Sequence, residues 1–438
     1  MSVAAGRRRG RVARHALLIA SAGATASSAV VSALPLVIAD SLVRERQWSE
    51  ATLLGGISAG MLLSVAAAPL GAFLIARVGL RRTIASVLCV LLGMLLLSAV
   101  DLQPRQLALV WALGIGASGC IGPMVVGSVV TAERYPQHCA TASGLFLSCA
   151  LAAPMLALPL SAVLIESLGR VAVISTMAVV VVAAISCAAV FIPDRCRSAQ
   201  VGNAALASRR SVAASARDGN FWLLLVLTCV CGVTSTGLVG NHLISICRVE
   251  GLSASSGAGA VAASGIAAVI GGLAFGAAAD RLSGMRLLAA YYFGRAVLLL
   301  WLPLSSFSLR ELSEFAVLYG LDSAATMPAL VRIGLDRFGR LQIGGVMSIL
   351  AVAHHGAAAA TTFAVAAAGP QYYPLAFAAG GVLCLVAGLL LVVRPQWISQ
   401  HLCLARLQQP AIDAVDLAGN GADRRPPSCR AVRRLDRP

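Results

Sequence analysis

"FGAAADRLSGMR", Phe275–Arg286, lies between two long apolar runs, "SGIAAVIGGLA" before it and "LLAAYYFG" after it. A chain with only 12% charged residues gathers Asp280, Arg281 and Arg286 into this one break. A shift of 204 residues toward the amino terminus lands on "GAFLIARVGLRR", Gly71–Arg82. That stretch also separates apolar runs and is similarly basic, with Ala76 where the acid should stand. Two like breaks at a fixed offset imply an internal repeat, and the runs around them decide what is repeated.

Those runs are too apolar for water. Hydrophobic residues make up 58% of the chain and the mean hydropathy is +0.85, whereas soluble domains hold about 45–50% apolar and about a quarter charged residues. The 34 basic residues are all Arg and give a net charge of +16. They cluster in short breaks between apolar runs, which argues for membrane-edge loops and against a nucleic-acid partner. The 12 Cys are scattered, with no C-x-x-C pair or zinc spacing, and read as small packing residues with no metal site. The start, "MSVAAGRRRGRVARHALLIA", is basic, but its apolar run continues to Ala39 without a cleavage site, so no cleavable signal peptide is expected.

About 20 apolar residues cross a bilayer as a helix. Twelve such runs are present, at 15–39, 51–76, 83–100, 107–130, 140–165 and 171–192, then 221–245, 257–279, 287–307, 315–334, 341–367 and 372–393. The expected fold is an all-α integral membrane protein with twelve transmembrane helices in two six-helix pseudo-repeat bundles. Its parts are a basic N-tail (1–14), a first bundle (15–192), a linker (193–220), a second bundle (221–393) and a disordered tail (394–438). Arg7, Arg8, Arg9, Arg11, Arg14, Arg77, Arg81, Arg82, Arg209, Arg210, Arg281, Arg286, Arg337 and Arg340 fall on one side. Arg44, Arg46, Arg105, Arg170, Arg248 and Arg310 fall on the other, offset there by acids such as Asp40, Glu50 and Glu314. This bias puts both termini and the linker in the cytoplasm.

The pattern G-x-x-x-D-R-x-x-G-x-R at Gly276–Arg286, with twelve spans, duplicated halves and a long central loop, resembles the major facilitator superfamily across nearly the whole chain. "QWSEATLLGGISAG", "GNHLISICRVEGLSA", "YGLDSAATMPAL", "DRFGR" and "AVAHHGAAA" are further similar to bacterial carriers related to monocarboxylate transporters. The resemblance implies a multi-pass protein of the bacterial inner membrane, acting as a monomer by alternating access. In it, Gly276, Asp280, Arg281 and Arg286, with Arg77, Arg81 and Arg82 in the first copy, form a cytoplasmic latch. An Asp there accepts hydrogen bonds from a neighbouring helix N-terminus, while the Arg residues meet acids or lipid headgroups. The alternative is that "DR" only marks a membrane edge by its charge. Since Ala76 cannot accept a bond, any latch is carried mainly by Asp280.

Ionisable residues within a span are costly and are functional candidates. Arg295 lies about 12 Å into the ninth span and Asp322 about 10 Å into the tenth from the opposite side, at about 1.5 Å per residue. His354 in the eleventh span falls level with Asp322, which suggests an Asp–Arg–His cluster. Two readings stay open: a structural ion pair, or a site for an anionic substrate or coupling proton. In the family's architecture the tenth span lines the cavity and the ninth lies outside it, so Asp322 would face the cavity with Arg295 as its support. The monocarboxylate resemblance leads to the expectation of an Arg in the eighth span, where Gly272 stands. Asn241 and His242 form either a polar rim or an interface. Ser21, Thr25, Ser28 and Ser32 share one face of the first span and suggest close packing.

No phosphate-binding loop, catalytic triad or metal cluster occurs, so neither an enzyme nor a cofactor is expected. The expected function is secondary active transport, as a symporter coupled to a proton or by exchange, of a small organic solute such as an organic acid. Efflux of lipophilic compounds and a non-transporting membrane receptor or scaffold are the alternatives. The expected partners are the small-molecule substrate, a co-transported proton and membrane lipid.

Overall fold

The computed structural model describes residues 2–135, 137–193, 215–249, 251 and 254–393. Most of the expected linker (194–214), all of the expected tail (394–438) and Ser253 lie outside the described residues.

A backbone surrounded by hydrocarbon must satisfy its own N–H and C=O groups, which leaves helices or closed barrels. The described residues form helices joined by short connections, without a strand. In chain order they form α1 (Ser2–Arg46), α2 (Glu50–Val78), α3 (Leu80–Ser98), α4 (Pro104–Ser118), α5 (Pro123–Arg134), α6 (Cys139–Leu168) and α7 (Arg170–Phe191). The second half holds α8 (Gly219–Gly232), α9 (Asn241–Val249), α10 (Ala254–Arg281), α11 (Gly284–Trp301), α12 (Leu309–Ser323), α13 (Thr326–Ala368) and α14 (Tyr373–Val393). Among the described residues, eleven helical stretches are long and apolar enough to cross a membrane. The tenth span is the twelfth crossing: it runs through α12 and the start of α13 and carries Asp322.

Three spans are not continuous α-helices, which the apolar runs did not disclose. The fourth breaks through a 3-10 turn, Gly119–Ile121, between α4 and α5. The seventh passes through a π-helical segment, Val233–Gly240, between α8 and α9. The tenth breaks between Ser323 and Thr326, and the chain turns into the eleventh span at Gly339, whose φ is 73°. The 204-residue shift carries Gly119 onto Ser323 and Gly122 onto Thr326, so the breaks of the fourth and tenth spans coincide under the repeat.

Polar residues set several ends differently from the apolar runs. The tenth span, expected at 315–334, starts at Leu309 because Ser308 and Glu311 form a capping box ahead of the apolar stretch. The seventh starts at Gly219, where the Asp218 carboxylate accepts from Asn220 N at 2.9 Å. The helix of the first span already runs from Ser2, through the expected N-tail.

In the first half α2 packs along α4, α3 along α7 and α1 along α6; in the second half α11 packs on α14, α10 on α12 and α8 on α13. The halves meet most extensively where α6 lies along α10, and again where α13 meets α2 and α5. At the end away from the "ADR" loop, Asp101 takes Arg46 at 2.6 Å and Arg170 at 3.7 Å. One acid thus joins the connections after the first, third and fifth spans.

Candidate functional site

Helix α6 begins with orphan N–H groups, and His138 before it supplies no side-chain cap. The acceptor comes from the other half. Asp280, in the last turn of α10, takes Ala140 N on Oδ1 at 3.0 Å, and Thr141 N and Thr141 Oγ1 on Oδ2 at 3.0 and 2.6 Å. A carboxylate at a helix N-terminus satisfies those donors and meets the positive end of the helix dipole. The G-x-x-x-D spacing follows from this contact. Gly276 sits one turn before Asp280 on the same face, and a Cβ there would lie 2.7 Å from Thr141 Cα.

The same seam explains the missing eighth-span Arg. Ser148 Oγ donates to Ala268 O at 3.0 Å, and a Cβ on Gly272 would lie 1.9 Å from Ser148 Oγ and 3.0 Å from Gly144 O. An Arg side chain at 272 has no room while α6 and α10 are apposed, since its Cβ alone crowds Ser148, Gly144 and Ala324. Of the other loop residues, Arg281, Arg286, Arg77 and Arg82 are exposed and Arg81 is half-buried. Arg77 stacks over Phe73 at 5.9 Å. None of Arg77, Arg82, Arg281 and Arg286 makes an ion pair among the described residues.

Deeper in the second half, Arg295 Nε meets Asp322 Oδ2 at 2.6 Å, with the Arg side chain fully buried and the Asp side chain 10% exposed. Asp322 sits at the end of α12, against the break of the tenth span. The guanidinium carbon of Arg295 stands 4.7 Å over the Tyr291 ring and 5.2 Å over the Tyr319 ring. Its two Nη atoms have no hydrogen-bond partner. Two desolvated charges hold each other here, and loss of either leaves the other uncompensated in a low dielectric.

His354 does not join that pair. Its Nε2 meets Thr236 Oγ1 in the π-helical segment at 3.2 Å, and its Nδ1 has no partner. The Cys231 thiol stands between, beside His354 and within 3.2 Å of Tyr291 OH and 3.5 Å of Thr326 Oγ1. The expected three-residue cluster is therefore an ion pair and a histidine separated by a thiol. Asn241 and His242 lie apart from both. Exposed Asn241 donates to Thr362 Oγ1 at 2.8 Å, and buried His242 sets its ring 5.5 Å from Tyr373. Ser21, Thr25 and Ser28 are buried, with Thr25 bonded to Ala22 O, as a packing face requires. No group of three metal-ligating side chains converges among the described residues.

Sequence reasoning passed over Tyr291, Tyr319, Cys231, Thr326 and Thr141. The two tyrosines carried a readable signal: Tyr291 is one turn before Arg295, and Tyr319 one turn before Asp322. Cys231 carried none, since its neighbours come from other spans.

Residues 16–362 match the family described as the Major Facilitator Superfamily. No curated protein matches the sequence. Solved structures of similar fold include the proton:xylose symporter XylE, with a TM-score of 0.70 at 10% identity, covering 88% of this chain and 96% of that one. The human organic anion transporter MFSD10 has a TM-score of 0.65 at 17% identity, covering 86% and 99%. The transporter FucP in its outward conformation has a TM-score of 0.65 at 16% identity, covering 86% and 98%. With twelve crossings, a broken tenth span and a family match over most of its length, the chain is a multi-pass membrane protein belonging to the major facilitator superfamily, a transporter and not an enzyme.

Proposed function

We propose that the chain moves a small organic acid together with a proton, with Asp322 as the coupling group and Arg295 as its support. The observation that carries this is the buried Arg295–Asp322 pair at the break of the tenth span, of which only the carboxylate keeps some exposure. When Asp322 is protonated, Arg295 is left with an uncompensated charge, and binding of a monoanion restores neutrality. Coupling of this kind is consistent with the proton symport named for XylE and FucP. The organic anion named for MFSD10 is of the proposed substrate class.

Alternating access then needs the basic end to open and close. Asp280 is the latch in this scheme, because its three bonds to Ala140 and Thr141 join the two halves. The Arg bias supports an orientation with both termini cytoplasmic in a bacterial inner membrane, and exposed Arg281 and Arg286 suit anionic headgroups. The proposed unit is a monomer of two six-helix bundles joined by the linker at 193–220.

Proteoliposomes preloaded at high pH and diluted into acidic buffer with labelled lactate or pyruvate test the reading. Uptake should follow the pH gradient in the wild type and lose that dependence in Asp322→Asn, which still exchanges substrate at equal pH. Gradient-driven uptake that survives Asp322→Asn removes Asp322 from the coupling role.

A further inference from the structure

The rings on either side of Arg295 do not end in apolar packing. Tyr291 OH reaches Cys231 Sγ at 3.2 Å, and Tyr319 OH donates to Ser235 O at 3.2 Å. Both contacts fall on the seventh span: Cys231 lies in the last turn of α8, just before the π-helical segment Val233–Gly240, and Ser235 lies within that segment. Cys231 and Ser235 are themselves joined, Sγ to Oγ at 3.7 Å, and the Ser235 hydroxyl donates to Cys231 O. Arg295 is thus held by one carboxylate and two aromatic faces, and each ring carries its hydroxyl onto the same turn of a third span.

A π-helical turn holds one more residue per turn than its α neighbours, and such segments recur at functional sites. It is an element with two close arrangements, because α-helical bonding is one residue away. The segment also contacts the eleventh span: Thr236 meets His354, and Thr362 Oγ1 donates to Gly237 O at 3.4 Å.

We propose that Tyr291 and Tyr319 are positioning residues that carry the charge state of Asp322, through Arg295, to the π-helical segment of the seventh span. This rests on the coupling role proposed for Asp322. Protonation of Asp322 removes the one ion partner that Arg295 has among the described residues, and the guanidinium then depends on the two ring faces. A cation attracted more strongly to those faces draws on both rings, and their hydroxyls pull on Cys231 and Ser235. The segment registers the event, and Thr236 and Thr362 pass it to the eleventh span. Among the described residues, the other titratable side chains packed on this cluster are Tyr292 on α11, His354 on α13 with His355 against its ring, and Cys384 on α14. Tyr292 OH is already committed to Leu227 O.

Infrared difference spectra of the full chain in lipid nanodiscs test this without a substrate. Two bands are followed as pH falls: the carboxylic C=O stretch of Asp322, identified by its loss in Asp322→Asn, and the S–H stretch of Cys231, identified by its loss in Cys231→Ala. The expected result is that the S–H band shifts in the same pH step in which the carboxyl band appears. In Tyr291→Phe, which keeps the ring and removes the hydroxyl, the carboxyl band still appears but the S–H shift is lost. Tyr319→Phe, acting through Ser235, weakens the shift and serves if Tyr291→Phe does not fold. A static S–H band across the Asp322 step, or an unchanged shift in both Phe variants, overturns the inference and leaves the coupling reading intact. A carboxyl band that never appears overturns both.

Discussion

Asp280 and Ala76 hold equivalent places in the repeat, and only one of them has an acceptor to offer. The Asp280 cap is worth about 1 kcal/mol, as helix caps are, which is about fivefold in an equilibrium between closed and open forms. Cys139, at the first residue of α6 and 1% exposed, lies directly under that cap. Asp280→Asn should therefore raise the labelling rate of Cys139 by a thiol reagent about fivefold, scored against Cys139→Ala. An unchanged rate would show that the cap does not hold the seam. The same variant should slow transport more than Ala76→Asp alters it, because the three bonds across the halves are made by Asp280, whereas an Ala side chain makes none to lose. For the buried pair, Asp322→Leu alone should cost about 3–5 kcal/mol by leaving Arg295 unpaired. Adding Arg295→Met should restore most of the thermal midpoint, since an apolar pair of similar volume replaces a desolvated one. A double variant no more stable than the single one would argue that the pair organises the fold in some further way. These two charges were legible in the sequence because ionised groups inside apolar runs are conspicuous. Their distance to His354 was not, because counting residues along a span gives depth and says nothing about which way a side chain turns around the helix.

The contact between α6 and α10 is where small residues matter most. Gly144, Ser148, Gly272 and Gly276 let two helices from different halves come within backbone contact, and Ser148 adds a hydrogen bond across them. Gly272→Arg, which a comparison with anion carriers invites, should not create an anion site. It should overpack the seam, at a cost of about 1–3 kcal/mol or more, and lower both the yield and the thermal midpoint of the purified protein. Retained stability with new anion-dependent stabilisation would show that the helices separate to admit the side chain. The seam also shows why Gly272 was read as a loss. In one dimension a glycine in place of an arginine is a missing group, whereas in the fold it is the condition for contact. The breaks in the fourth, seventh and tenth spans were likewise invisible to hydropathy. Gly119, Val233 and Ala324 are as apolar as their neighbours, and only their hydrogen bonding differs.

Across the chain, the two halves share the breaks of the fourth and tenth spans, but not the π-helical segment of the seventh, whose counterpart in the first span is continuous helix, and not their charges. The 204-residue shift superposes the breaks of the fourth and tenth spans, while Asp280, Arg295, Asp322 and His354 all belong to the second half. The twelve-crossing layout was the most legible feature of the sequence, because the lipid imposes a length and a composition on every span. Cysteine accessibility mapping should place both termini and the 193–220 segment on one face of the membrane. Termini on opposite faces would overturn the orientation drawn from the Arg bias and the assignment of the latch to the cytoplasmic end.

The junction at Asp101 has a mechanical corollary. Arg46 and Arg170 converge on a carboxylate that is 76% exposed, so dissolved electrolyte can screen both attractions. Three hairpin tips of the first half hang from that one anion, and their stiffness becomes a property of the surrounding brine as much as of the protein. Unfolding midpoints measured from dilute to concentrated sodium chloride should drift in the wild type and stay flatter in Asp101→Asn.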